Sequence, residues 1–82
     1  MKIKILEPSD VKYQQLERVI KRLVKELGID ADIEYIQDMN KIIEYPILTT
    51  PGLVINGGVV CSGRVPTKDE IRKLLTSADG VE

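Results

Sequence analysis

The 82-residue chain has no histidine, no tryptophan and no phenylalanine, and it carries a single cysteine, Cys61. Without histidine there is no imidazole to act as a general base, and a structural zinc site loses its usual nitrogen ligands. One cysteine cannot close an internal disulfide. No apolar run approaches the roughly 18 residues a membrane span needs. The opening Met1-Lys2-Ile3-Lys4-Ile5-Leu6 is too short for a signal peptide, so the expected location is the cytoplasm, with no membrane partner. Neither sign of charge dominates: 12 basic against 13 acidic residues leave a net charge of -1. That balance argues against a chain built to coat nucleic acid. The expected partner is a protein, a peptide or a small molecule, and no cofactor is implied.

What is present is enough for one small domain, since 43% of the residues are hydrophobic and 30% charged. Lys2 and Lys4 alternate with Ile3 and Ile5, which predicts a first strand over residues 2 to 6. From Asp10 the period changes. Tyr13, Leu16, Ile20, Leu23 and Leu27 recur every three or four positions and Gly28 follows, predicting an amphipathic helix of about five turns. Ala31, Ile33 and Tyr35 mark a second strand, parallel to the first through a right-handed crossover. A short helix is expected over residues 38 to 45, capped by Asp38 and ended by Pro46.

Leu53-Val54-Ile55 and Val59-Val60-Cys61 flank Asn56-Gly57-Gly58, a hairpin signal because Asn-Gly accepts the positive φ angles of a type I′ turn. Simple alternation along the fourth strand would turn Cys61 to the same face as Val59. Thr67 and Glu70 form a capping box that opens a last helix with Ile71, Leu74 and Leu75 on its buried edge. The expected organisation is one domain over residues 1–76 and a polar tail over 77–82. Its fold class is α/β, in the order β1-α1-β2-α2-β3-β4-α3, with a four-stranded mixed sheet and flanking helices.

That order is the thioredoxin/glutaredoxin-like core. Local stretches resemble one prokaryotic branch, the small proteins called redox-active disulfide protein 2. The matching pieces are the first strand, Glu26-Leu27-Gly28-Ile29-Asp30, Thr50-Pro51-Gly52-Leu53-Val54-Ile55-Asn56-Gly57, and Gly63-Arg64-Val65-Pro66-Thr67-Lys68-Asp69-Glu70-Ile71. The resemblance spans residues 1 to about 75. It implies a Gly-Thr-Gly-Cys-Pro-x-Cys pattern between the first strand and the first helix. Here Glu7-Pro8-Ser9 stands where the glycines would be, Asp10 takes the first cysteine's place and Tyr13 the second's, so the Cys-x-x-Cys is degenerate.

The chemistry implied by the resemblance needs two thiols: a thiolate stabilised at a helix N-terminus attacks, and a second cysteine resolves the mixed disulfide. Asp10 suits the same anion-friendly position as an ordinary cap or first-turn carboxylate, with Ser9 as the other candidate cap. It cannot exchange disulfides. Tyr13 heads the buried stripe of the first helix, where its ring fills volume and its hydroxyl requires a partner.

By resemblance, Thr50-Pro51 should be a cis peptide that faces the active-site turn and pairs with an extended peptide. Cys61 reads first as a small buried apolar residue and second as a reactive thiol. The basic face of the first helix, Lys12, Arg18, Lys21, Arg22 and Lys25, reads as solvated, with a Glu17–Lys21 pair at i,i+4. No aromatic residues interleave it, so nucleic acid is not an expected partner. Sheet edges permit either a monomer or a weak homodimer.

Two functions compete. The first is a non-catalytic peptide-binding or regulatory module, no longer an enzyme, that uses the Thr50-Pro51 groove. The second is a thiol-disulfide oxidoreductase serving cell redox homeostasis through Cys61 or an atypical site. Present residues favour the first; family resemblance favours the second.

Overall fold

The structure, a computed structural model, describes residues 1–78. β1 (Lys2–Leu6) is followed by α1 (Asp10–Glu26), β2 (Asp32–Ile36), α2 (Met39–Ile42), β3 (Gly52–Ile55), β4 (Gly58–Ser62) and α3 (Lys68–Ala78). The sheet order is β2-β1-β3-β4, with β1 and β2 parallel and the other pairs antiparallel. This is the expected α/β thioredoxin-like architecture. No helix among the described residues is long and apolar enough to cross a membrane.

Alternation along β1 sorts its side chains between two cores. Ile3 and Ile5 join Leu53 and Ile55 of β3 under Leu16, Ile20 and Leu23 of α1 and Ile71 and Leu75 of α3. Leu6 turns the other way and packs with Ile36, Val54 and Ile42, with Tyr45, Ile47 and Val59 around them. Two helices therefore cover one face and the short α2 one end of the other. Each fully buried Leu or Ile contributes roughly 1.5–3 kcal/mol through removal from water.

The local signals act as their chemistry dictates. Gly28 closes α1 at φ 67°, and the Ile29 and Gly28 amides donate to the Val24 and Lys25 carbonyls, the paired bonds of a Schellman end. Asn56 and Gly57 take φ 50° and 85° at the hairpin tip. The Thr67 hydroxyl accepts from the Glu70 amide at 3.2 Å, while a Glu70 carboxylate oxygen accepts from the Thr67 amide at 3.1 Å, so the box is reciprocal.

Three expectations change. The helix expected over residues 38 to 45 is a single turn, Met39–Ile42; Asp38 caps it, accepting from the Asn40 amide at 2.9 Å, and the chain then leaves in turns toward Pro46. α3 runs through Thr76 to Ala78, and the rest of the expected tail lies outside the described residues. On β4, Leu53 pairs with Cys61 but Val54 pairs with Val59, leaving Val60 as a bulge. That extra residue breaks the alternation, so Cys61 faces the α1/α3 core and Val59 the opposite one.

Candidate functional site

The functional end of the sheet is built where β1 stops. Leu6 is paired with Ile36 on one side and Gly52 on the other, so one further step brings Glu7 level with Gln37 and Pro51. The Glu7 amide continues the ladder by donating to the Ile36 carbonyl at 3.1 Å. Pro8, Ser9 and Asp10 then turn the chain into α1. Ser9 is the N-cap residue but makes no side-chain capping bond.

Asp10 is the first helical residue, and its carboxylate is not spent on the helix end. Its Oδ1 accepts from the Gln37 side-chain amide and from the Tyr35 hydroxyl, the latter at 3.3 Å, both beyond α1 in sequence and at the end of β2. Gln37 also donates to the Pro8 carbonyl at 3.1 Å, tying both sides of the turn to one side chain. Tyr13 lies half-buried against Tyr35, with ring centroids 3.4 Å apart and 11° between planes. Its hydroxyl donates to the Glu17 carboxylate. Burial, and then this bond to an anion, push the Tyr13 phenol up to about 12. Tyr35 is raised too, by burial first and then by the Asp10 charge and bond, with Glu7 adding to the same field.

Glu7 was visible in the sequence only as the residue in a glycine's place. It is 2% exposed, and its Oε2 has no hydrogen-bond partner. The signal that could have marked it is a carboxylate directly after an apolar strand end, where the chain is still inside the molecule. Tyr35 and Gln37 were equally hidden, because only the parallel β1–β2 register brings them to the turn.

The Thr50–Pro51 peptide is cis, as the resemblance implied. Pro51 is buried, and its carbonyl accepts from the Gly63 amide at 3.0 Å. Gly63 sits at φ 83°, and a Cβ there would lie 2.8 Å from the Thr49 hydroxyl oxygen, so glycine is required for β4 to back this loop. Beside it opens an apolar cleft of about 310 Å³ lined by Met39, Ile42, Ile43, Leu48 and Thr50. Met39, Ile43 and Leu48 are exposed at its rim.

Cys61 lies apart from the α1 turn. The half-buried thiol points at the Arg64 carbonyl, 3.8 Å away, in a cleft of about 220 Å³ that it shares with Val60, Arg64, Glu70, Lys73 and Leu74. Arg64 is held in a two-point pair by Glu70, one arm at 2.9 Å. That bond, first, and then the Glu70 charge keep the guanidinium above its ordinary value. The same bond holds Glu70 down to about 2. Of the sequence-predicted residues, then, Asp10 and Tyr13 meet through Tyr35, Thr50 and Pro51 border the same end of the sheet, and Cys61 faces the α1/α3 core.

A family model described as a thioredoxin domain matches residues 1–76. The chain belongs to the thioredoxin-domain family. Two archaeal members of curated standing are similar to it along nearly its whole length. A protein named thioredoxin from Methanothermobacter thermautotrophicus is 42% identical over 76 residues, covering 93% of this chain and 99% of the relative. A thioredoxin from Methanocaldococcus jannaschii is 36% identical over 75 residues, covering 92% and 86%. These likenesses overturn the reading of a non-catalytic binding module. That reading weighed the missing thiols of one turn against everything else, whereas relatives similar over nine-tenths of this chain carry the name of a redox protein, and one thiol is still present on the same sheet.

Proposed function

We propose that the protein is a thiol-disulfide oxidoreductase of the thioredoxin type that works through the single thiol of Cys61. The observation that carries this reading is the likeness to two thioredoxins over more than nine-tenths of the chain. Glycine, cis-proline and capping-box stretches support a finer reading, membership of the redox-active disulfide protein 2 branch. The cytoplasm, where small thiols stay reduced, suits it.

One thiol imposes a definite reaction sequence. The Cys61 thiolate attacks one sulfur of a client disulfide; a new S–S bond forms, the client bond breaks, and its electron pair leaves on the second client sulfur, which takes a proton. A dithiol reductant then attacks the Cys61 sulfur, releasing the first client thiol. The reductant's second thiolate closes its own disulfide and returns Cys61 to the start. In sum, the client disulfide is reduced and the dithiol oxidised, with two electrons and two protons transferred. Lys73, lining the same cleft as the Arg64–Glu70 pair, places positive charge near sulfurs that carry negative charge during each transfer. Thr50 and Pro51, with the apolar cleft beside them, supply an edge for an extended client segment.

The test is dithiol-driven reduction of a protein disulfide. Wild-type protein should turn over and Cys61→Ala should not. Equal rates for the two, or no turnover by either, overturn the reading.

A further inference from the structure

We propose that the turn between β1 and α1 is a binding site for a guanidinium group, the side chain of an arginine in a partner peptide. The site is separate from Cys61 and does not depend on its chemistry. Its core is a carboxylate that the fold buries and leaves unanswered. Glu7 is 2% exposed, Oε2 has no partner, and none of the ion pairs among the described residues reaches Glu7 or Asp10. A buried carboxylate without a partner is costly to keep, and a cation beside it would supply the missing counter-charge.

Alternation from Ile5, which pairs with Tyr35, puts Glu7 on the sheet face that also carries Tyr35, a partner of Asp10. The β1–β2 register sets Glu7 beside Gln37, and its charge is felt at the Tyr35 hydroxyl, which itself donates to Asp10 Oδ1. Gln37 and Tyr35 hold Oδ1 in place, and the residue is exposed. Two carboxylates, one buried and one exposed, therefore belong to the turn beside a stacked pair of tyrosine rings.

That combination selects the ligand. No three histidine, cysteine, aspartate or glutamate side chains converge among the described residues, so the donor set is too small for a metal ion. A guanidinium is planar, pairs with carboxylates through two N–H groups and lies flat on aromatic faces, and it sheds its hydration more readily than an ammonium. Pro51, level with Glu7, adds an edge along which the rest of a peptide can run, which favours a peptide arginine over a small free guanidine.

The experiment is a titration of the full chain, followed by backbone amide NMR, with acetyl-Ala-Arg-Ala-amide, the same peptide with citrulline for arginine, and methylguanidinium. The arginine peptide should shift residues 7–13 and 35–37 saturably, with at least fivefold weaker binding in both Glu7→Gln and Asp10→Asn. The neutral citrulline peptide should leave them unmoved. Saturation by methylguanidinium as tight as by the peptide supports the guanidinium site and makes a small free guanidine its occupant. Asp10 is on the surface, so its variant reports even if Glu7→Gln fails to fold. Shifts confined to other residues, equal binding of arginine and citrulline peptides, or undiminished binding in Asp10→Asn would overturn the proposal. Repeating the titration with Cys61→Ala, where binding should be unchanged, separates this site from the disulfide chemistry.

Discussion

The β1–α1 turn and the β4–α3 corner divide between them what a dithiol site holds in one place. At the turn a helix N-terminus, with its free N–H groups and favourable dipole, is given to a carboxylate, and that carboxylate is bound from the side by Gln37 and Tyr35. At the corner the molecule's one thiol sits on a strand next to a guanidinium, in a cleft shared with α3 residues. Electrostatic preference for an anion does not by itself make a redox centre. The anion has to be a sulfur that a second sulfur can reach.

The sharpest way to break this comparison is to remove the thiol. Cys61→Ala should abolish disulfide reduction while leaving the melting temperature within a few degrees, since the side chain is only half-buried. Putting two thiols back in the turn is the complementary change. In the Cys61→Ala background, Asp10→Cys together with Tyr13→Cys should restore measurable turnover, because the helix N-terminus is already in place. If that variant folds but stays inactive, Glu7-Pro8-Ser9 has reshaped the turn beyond a change of side chains.

Stability comes next in size. Glu7→Leu removes the unanswered carboxylate, and urea denaturation should show a gain of about 1–3 kcal/mol, the usual cost of a buried unsatisfied group. A loss instead would mean that Glu7 contributes a native contact not visible in its hydrogen bonds.

The smallest effect belongs to the corner. Glu70 is held down to about 2, from an ordinary 4.5, chiefly by its bond to Arg64. A depressed carboxylate stabilises the fold above its unfolded value and loses that contribution as pH falls through the folded one. Acid titration of stability should therefore be flatter between about pH 4.5 and 2 in Glu70→Gln than in the wild type. The pair is exposed, which keeps the difference slight.

Most of the fold was legible because it rests on local rules. The 3.6 period of Leu16, Ile20 and Leu23, the Asn56-Gly57 turn and the Thr67–Glu70 box each state their own conformation within a few residues. The length of α2 was not legible: Ile43 and Tyr45 read as a continuing helix, but only Ile42 is buried there, and the turn conformation after it serves the loop to Pro51. For the candidate site, Asp10, Tyr13, Thr50 and Pro51 were found in sequence, while Glu7, Tyr35 and Gln37 were missed. Each of these three reaches the turn across a strand pair, and single-chain spacing carries no information about register.

The sequence by itself determined the element order, the sorting of apolar side chains on β1 and α1, and the absence of any second thiol. Those properties follow from composition and short-range periodicity. Only the tertiary structure decided where the remaining chemistry points. A one-residue bulge at Val60 sends Cys61 to the α1/α3 face, because every residue after an insertion in a strand changes sides. The parallel pairing of β1 with β2 encloses Glu7 and delivers two polar side chains to Asp10, because residues some 27 positions apart become neighbours once both strands have found their register.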